Sequence, residues 1–259
     1  RNDTVRITSG PLKDLIGSQI LTHYPRTLEE GMAITAQEAD TGRSREVRVP
    51  QLYREVVEEI AREARKSEHI DQSSGVSVRL SVSALELLVS NVERRMIQHG
   101  EEEPLPRLCD LFALLPAITG KCELVFEGEQ EGAAIVAARL IGQAIKTVFA
   151  RRFPAVHHSR KDPAAPEPLY GRIQAWFSGG NSLELSGERP AREEGRRLRQ
   201  VDGLRECVRK HLPDLPAEEE TGAMELVLEA LHQHSVLSRE GTIGTITYGD
   251  MLTRMMQDL

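Results

Sequence analysis

The stretch Gly75-Val76-Ser77-Val78-Arg79 decides how the first half of this chain is interpreted. It leads into a segment, 83–98, whose apolar residues recur at helical spacing, so we expect an amphipathic helix opened by Arg79. Within that segment Ser83 and Glu86 match the spacing of a capping box. A guanidinium at such a place can bind phosphate in a bidentate fashion. Arg79 is therefore the first candidate for ligand binding.

Further helical patterns surround this segment and predict a mainly α protein. Thr27 is followed by Glu29 and Glu30, the arrangement of a helix N-cap with acidic residues in the first turn. A brief strand-like insert is expected at 124–126. Apolar stripes at helical spacing occupy 51–66, 107–116 and 131–151. Several amphipathic helices joined by short loops predict a small helical bundle.

The composition changes after this bundle. Residues 153–168 are rich in proline, alanine and charge and predict a linker. Residues 169–259 predict an α-rich C-terminal domain with a hairpin over 170–186 that turns at Gly179-Gly180-Asn181. Within the hairpin, Trp176 and Phe177 either anchor a partner or form a small satellite core. Two helical stripes follow, from Met224 to Leu231 and from Tyr248 to Met255.

The bulk composition limits the function classes. The chain has 259 residues and a formal net charge of −7, which argues against a dedicated nucleic-acid binder because phosphate contacts need a basic surface. Cys109, Cys122 and Cys207 are widely spaced and follow no metal-binding or disulfide pattern, which favours a reducing cytoplasm. No apolar run approaches the ~20 residues of a membrane helix, so we expect a cytoplasmic protein without a membrane partner.

Four motifs in residues 1–152 resemble the back half of a magnesium-chelatase-like AAA+ ATPase, of the branch labelled with a sigma-54 interaction domain. The resemblance implies that 1–26 are the C-terminal end of an α/β nucleotide-binding core and that 27–152 form its helical lid. Gly75–Arg79 corresponds to the sensor-2 stretch, so Arg79 would contact ATP. The motifs are Pro11-Leu12-Lys13-Asp14 with Gly17-Ser18-Gln19-Ile20 and Thr22-His23-Tyr24-Pro25, His69 to Arg79, Asn91-Val92-Glu93-Arg94-Arg95, and Pro106-Arg107-Leu108-Cys109-Asp110-Leu111.

The resemblance also implies an activity and partners. Such proteins hydrolyse ATP with Mg²⁺ at the subunit interfaces of a homo-oligomeric, hexameric ring and couple this to the remodelling of a partner. In relatives, such rings work with a protein that carries an integrin-like metal-binding domain. An Asp-Arg pair normally supplies an arginine finger to the neighbouring subunit. Here Asp14 is followed by Leu15, so Arg6 is the candidate catalytic substitute, against the alternative of an ordinary surface residue. Arg26 is a weaker candidate.

A phosphate loop is missing from the sequence. Gly120-Lys121 is not one, because Leu115 and Cys122 occupy the flanking positions where a Walker A motif needs glycine and Ser or Thr. We therefore expect a fragment of a motor that is inactive alone and whose ATP and Mg²⁺ are bound mainly by residues outside this chain. The alternative is a non-enzymatic helical adaptor derived from an AAA+ lid. A transcription regulator with a DNA-reading helix pair in 221–259 ranks lowest, since that segment has little basic character.

Two further groups of residues are candidates with simpler explanations. His157-His158 and the pair His232 and His234 lack the spacing for shared metal binding and are interpreted as surface residues. An arginine-rich run at 192–210 is interleaved with acids, so helical ion pairs at i, i+4 explain it as well as nucleic-acid binding does. No nucleophile, base and acid follow the pattern of a hydrolase triad.

Overall fold

The computed structural model describes residues 18, 22–42, 47–102, 104–156, 168–241 and 244–251. Arg6, Asp14, Leu15 and the pair His157-His158 lie outside these residues. The described chain is mainly α, as predicted. Its helices in the first part are α1 Leu28–Glu38, α2 Gln51–Ala64, α3 Arg79–His99, α4 Leu108–Phe112, α5 Leu115–Thr119, α6 Phe126–Glu131 and α7 Ala133–Ala150.

The helix opened by Arg79 is confirmed. Helix α3 has 21 residues, begins at Arg79 and ends before Gly100, whose left-handed conformation (φ 66°) closes it. Because the helix starts one turn earlier than the capping-box spacing suggests, Ser83 lies inside α3, and its predicted capping role is wrong. The predicted cap at Thr27 is confirmed, since its side chain accepts from the Glu30 N–H at 3.1 Å.

Two short segments differ from the prediction. The stretch 107–116 forms two five-residue helices, α4 and α5, because the chain bends at Ala113 and Leu114. The strand-like insert at 124–126 contributes only a single bridge, between Leu124 and Ile70, after which α6 begins at Phe126. The stretch 107–116 keeps most of its apolar side chains buried, whereas Leu124 and Val125 are half-buried and Phe126 is 67% exposed.

Helix α7 is the central helix of the first part. It packs against α2, and Val136, Ala137 and Leu140 are among its buried residues. Of the described helices it is the one long and apolar enough to cross a membrane, by its 18 residues and mean hydropathy of 1.5. Half of that stretch is buried inside the protein, which is how the core helix of a water-soluble domain behaves.

The C-terminal part is helical with a small sheet, and here the sequence prediction was partly wrong. Residues 168–178 form a helix instead of a hairpin strand, and 237–250 form two strands where a helical stripe was expected at Tyr248. The strands pair antiparallel in the order β1-β3-β2. The elements are α8 Pro168–Ser178, β1 Leu183–Ser186, α9 Ala191–Leu198, α10 Leu204–His211, a 3₁₀ turn Ala217–Glu219, α11 Glu220–Gln233, β2 Leu237–Glu240 and β3 Thr245–Asp250.

The first part and the C-terminal part share one hydrophobic core. Helix α11 packs against α7 from the first part and against α10 and α9 from its own. Phe153, at the start of the predicted linker, stacks on Phe149 with ring centroids 4.5 Å apart. The buried side chains of both parts form one continuous cluster, so residues 27–152 and 169–259, predicted as separate domains, are joined by packing as well as by the chain.

Helix α11 is not exposed as a DNA-reading helix. Every residue from Gly222 to Leu231 is buried, because α7, α9 and α10 cover the helix. A recognition helix must present several side chains to a groove. The described part of 221–259 therefore does not offer the helix pair on which the transcription-regulator alternative depends.

Candidate functional site

Arg79 is an exposed residue at the N-terminus of the longest described helix. Its backbone N–H donates to the Ser77 hydroxyl oxygen at 3.2 Å. Within the described part of the chain, its guanidinium has no hydrogen-bond or ion-pair partner. The positive end of the helix dipole lies beside this guanidinium and favours an anion.

The connecting segment (residues 69–78) that leads to Arg79 is held on one side by residues 123–125. The Asp71 N–H donates to the carbonyl of Glu123 at 2.9 Å, and the Val125 N–H donates to the carbonyl of His69 at 3.1 Å. The Ser74 hydroxyl also contacts the Glu123 carboxylate. These bonds fix the path of the connecting segment before it turns at Gly75, where φ is +72°.

The other side of the connecting segment is held by Tyr24, which precedes the predicted lid. The N–H of Val76, which is fully buried, donates to the Tyr24 hydroxyl at 3.0 Å. The Arg65 guanidinium lies 4.4 Å from the centroid of the Tyr24 ring, within the range of a cation–π contact. Its Nε donates to the Val76 carbonyl at 3.4 Å. Tyr24, Arg65 and Val76 thus form a joint three residues before Arg79, which we call the Tyr24 joint.

A buried carboxylate lies behind the Tyr24 joint. Glu58 Oε1 is 4.0 Å from Arg65 Nη1, and the Thr35 hydroxyl donates to Glu58 Oε2 at 3.1 Å. Burial raises the pKa of Glu58, although the hydroxyls of Ser81 and Thr35 and the charge of Arg65 oppose that effect. Helices α1, α2 and α3 therefore all contribute a polar group to the region that supports the joint.

The arrangement at Arg79 is suited to recognising an anion. It offers one guanidinium without a partner among the described residues and the positive end of a helix dipole, next to a connection between the segment before α1 and the helical bundle. Those groups can bind phosphate oxygens but do not accept or donate protons readily at neutral pH. A movement of Arg79 and a movement of the Tyr24 joint would be coupled because only three residues separate them.

A second polar cluster is buried where the two parts of the chain meet. Arg107 Nε donates to Glu225 Oε1 at 3.0 Å, and its Nη groups donate to the carbonyls of Arg189 and Ser186 at 3.0 and 3.2 Å. Burial acts to lower the pKa of Arg107, but the acidic groups around it, Glu225 first among them, together outweigh burial and raise the pKa of the guanidinium. All these groups are engaged with one another, so this cluster joins elements and offers no free ligand group.

Cys109 and Cys122 are poorly suited to act as nucleophiles in this fold. Burial, followed by the charge of Asp110, raises the pKa of Cys109, and burial raises the pKa of Cys122 to about 11. Both thiols are protonated near neutral pH, whereas a catalytic or metal-binding cysteine acts as the thiolate. Among the described residues, no group of three His, Cys, Asp or Glu side chains could hold a metal ion.

The remaining sequence candidates lie apart from Arg79. Arg26 is exposed and its backbone N–H donates to Glu30 at 2.8 Å. His232 and His234 are half-buried: the first contacts the Leu237 carbonyl at 3.0 Å and the ring of the second lies 6.1 Å from that of Phe149. Both therefore lie partly at the surface, with their rings in contact with the protein. Gly120-Lys121 ends α5 and does not follow a strand.

Sequence reasoning missed the partners of the joint. Tyr24 was quoted as part of a motif, but nothing in the spacing connects it with Arg65 or Val76, which are 41 and 52 positions away in the printed sequence. The arginine-rich run was explained by pairs within a helix, whereas Arg205 and Arg209 bind Glu220, 15 and 11 positions away. Such pairs depend on tertiary packing, for which a single sequence carries no direct signal.

Comparison with known proteins gives no relative: no family model, no curated protein and no solved structure matches this chain.

Proposed function

We propose that this chain is the lid and C-terminal portion of a magnesium-chelatase-like AAA+ ATPase. It would couple ATP binding and hydrolysis in a homo-oligomeric ring to the remodelling of a partner protein. ATP and Mg²⁺ would be bound mainly by residues outside this chain, with Arg79 as the contribution of the lid. The proposal rests on the resemblance of residues 1–152, and the position of Arg79 is the observation that supports it best.

The position of Arg79 fits a sensor of the bound nucleotide for two reasons. Its guanidinium is unpaired within the described residues and lies at the positive end of α3, where a phosphate oxygen is stabilised. It also follows directly after the Tyr24 joint. A phosphate bound by Arg79 would therefore also displace the connection between the segment before α1 and the helical bundle. Rigid-body closure of one domain on another around a ligand works in this way.

The roles of Arg6 and of an integrin-like partner rest on sequence alone. Arg6 would act as the finger toward the neighbouring subunit in place of the missing Asp-Arg pair. Arg6 lies outside the described part of the chain, so its proposed role is supported by the sequence motif in 11–25. Cytoplasmic localisation and a hexameric ring are likewise proposed from the resemblance.

ATP turnover by the complete gene product tests the proposal. Arg79→Ala should lower kcat about tenfold or more, since loss of one charge-assisted phosphate contact weakens the transition state by about 1.5–3 kcal/mol. Arg79→Lys keeps the charge but not the forked donors, so its kcat should lie between those of the wild type and Arg79→Ala. Arg94→Ala is the matched control, because Arg94 is exposed on the same helix and contacts only Asn91 and Gln98.

The result that would overturn the sensor role is unchanged turnover in an Arg79→Ala protein that unfolds at the same temperature as the wild type. Equal losses in Arg79→Ala and Arg94→Ala would point to a general charge effect and would also count against it.

A second candidate, a non-enzymatic helical adaptor, is favoured by one observation. The two parts of the chain share a continuous core, so this portion has the packing of a stable module without any nucleotide. The adaptor proposal expects that the complete gene product neither binds nor hydrolyses ATP. Tight binding of ATP that depends on Mg²⁺ would exclude it.

A further inference from the structure

Three arginines in the C-terminal part converge on one carboxylate. Arg205 Nε donates to both carboxylate oxygens of Glu220, at 2.9 and 3.0 Å, and Arg209 Nε donates to Oε1 at 2.8 Å. Arg199 Nη2 lies 3.5 Å from Oε2. Only 5% of the Glu220 side chain is exposed. We call these four residues the Glu220 cluster.

The fold places the four groups together. Glu220 is the first residue of α11, and Arg199 follows the last residue of α9. Arg205 and Arg209 are four positions apart on α10, so they lie on the same face of that helix. The cluster therefore joins three helices, and its arginine heads are neighbours on the surface.

Most hydrogen-bond donors of the cluster are not used by Glu220. Arg205 and Arg209 both bind the carboxylate through Nε, and their Nη groups have no partner within the described part of the chain. The two side chains are 44% and 61% exposed. Since a guanidinium carries five N–H donors, each arginine presents its remaining forked donors to solvent.

The cluster also carries excess positive charge. Burial acts to raise the pKa of Glu220, but the hydrogen bonds from Arg205 and Arg209 outweigh it and the pKa is lowered, so the carboxylate is ionised at neutral pH. One negative charge then faces three positive ones. A phosphate group carries about −1.5 to −2 at pH 7 and would balance the remainder, whereas a carboxylate would leave it partly unbalanced.

Neighbouring acids bond other arginines and not those of the cluster, although Arg48 and Arg172 each pair with two acids. Glu206, on the same helix as Arg205, lies 2.6 Å from Arg172 Nη1. Glu219, which precedes Glu220, lies 2.7 Å from Arg48 Nη1. The net charge of the chain is −7, so this local positive surface differs from the average of the molecule.

We propose that the Glu220 cluster binds a phosphate group, held by the forked Nη donors of Arg205 and Arg209. Glu220 positions the two arginines, and Arg199 adds charge at the edge. The phosphate comes either from a free phosphate chain or from a nucleic-acid backbone. The site is separate in sequence from Arg79 and does not depend on the proposed ATPase function.

Isothermal titration of the full chain with inorganic tripolyphosphate at low salt tests the site. Arg209→Gln and, independently, Arg205→Gln should each weaken binding about tenfold or more. Arg209→Lys keeps the charge and should weaken it less. Arg172→Gln is the charge control: it removes the same charge from the same part of the chain, from an arginine already bound to Asp202 and Glu206. It should weaken binding less than Arg209→Gln does, because it removes no donor of the proposed site.

Two further arms locate the phosphate and its source. Arg79→Gln separates this site from the proposed nucleotide sensor: if the loss of tripolyphosphate binding follows Arg79 and not Arg205 or Arg209, the assignment to the Glu220 cluster is overturned. A short single-stranded oligonucleotide serves as the second probe. Binding of the oligonucleotide alone, weakened by salt and by Arg209→Gln, supports a polymeric source. No binding of either probe, or equal losses in Arg172→Gln and Arg209→Gln, overturns the proposal.

Discussion

Arg107 and Glu225 form a buried ion pair, with Nε 3.0 Å from Oε1, although they are 118 positions apart in the sequence. The other carboxylate oxygen of Glu225 accepts the Leu108 N–H at 2.7 Å. The pair therefore ties the start of α4 to the middle of α11. Together with the shared hydrophobic core, this buried ion pair fixes the position of α4 relative to α11.

Breaking this pair should be costly. Arg107→Ala leaves the Glu225 charge buried without its partner, and we expect a loss of about 3–5 kcal/mol in the free energy of unfolding. Urea denaturation of the full chain measures it. Arg94→Ala, which alters an exposed arginine on α3, should change stability by less than about 0.5 kcal/mol.

The coupling within the pair can be measured separately. The double variant Arg107→Met with Glu225→Gln carries no buried charge at either position, so its loss should be smaller than the sum of the two single losses. Strictly additive losses would mean that the two side chains stabilise the fold independently.

Two glycines in helices should respond to alanine in opposite directions. A Cβ at Gly128 in α6 would lie 2.6 Å from the backbone carbonyl oxygen of His69, which cannot move away without disturbing the connecting segment. Gly128→Ala should lower the free energy of unfolding by about 1–3 kcal/mol. Gly171 in α8 has open space around its Cβ position, and Gly171→Ala should raise it by about 0.5–1 kcal/mol.

Thermal and urea unfolding of the two variants provide the test. Since both replacements add the same methyl group to a helix, helix propensity alone would stabilise both. Stabilisation by Gly128→Ala would show that the contact with His69 is not as close as the structure gives it.

The long helices could be predicted because the apolar stripe that stabilises each of them lies within its own segment of the sequence. Helix α2 was expected at 51–66 and occupies Gln51–Ala64; α7 was expected at 131–151 and occupies Ala133–Ala150. Each has an apolar stripe at a spacing of three and four residues, which buries one face whatever element lies opposite. The start of α3 at Arg79 also followed from this reasoning.

The C-terminal part shows where local patterns were misread. Leu169, Ile173 and Phe177 recur every four residues and are buried on one side of α8, a helical signal that the following glycines obscured. Ile246 and Tyr248 alternate with exposed or half-buried threonines, which is the period of a strand. The ion pairs of Arg107 and of Glu220, by contrast, join distant segments, and no local pattern could predict them.

Glu58 should make stability depend on pH in a defined direction. Burial raises its pKa in the folded state above the unfolded value of about 4.5. The folded protein then binds more protons than the unfolded chain in the range just above pH 4.5, so the contribution of Glu58 is largest at low pH and is lost as pH rises through the folded pKa. Glu58→Gln removes this contribution.

We therefore expect Glu58→Gln to gain stability relative to the wild type as pH increases from 5 to 8. Urea denaturation at several pH values measures the difference between the two proteins. Glu68→Gln, at a carboxylate that is 91% exposed, reports any effect of removing one negative charge from the whole molecule. A Glu58→Gln difference that is constant or decreases with pH would contradict the assigned shift.

Tyr24→Phe should loosen the Tyr24 joint without unfolding the bundle. The phenylalanine ring keeps the cation–π contact with Arg65, but the Val76 N–H loses its acceptor and is left buried without a hydrogen bond. Loss of one such bond costs about 1–3 kcal/mol of local stability. Hydrogen exchange of the full chain should therefore speed up at the Val76 amide, by roughly tenfold to a hundredfold for that range.

The Leu80 amide is the internal control for this variant. It donates to the Ser77 carbonyl at 3.0 Å within the first turn of α3, so its exchange depends on the helix and not on Tyr24. Faster exchange at Val76 with unchanged exchange at Leu80 would show that the joint opens separately from α3. Equal acceleration at both amides would mean that the connecting segment and the start of α3 open as one unit. Tyr24 would then directly stabilise the helix that carries Arg79.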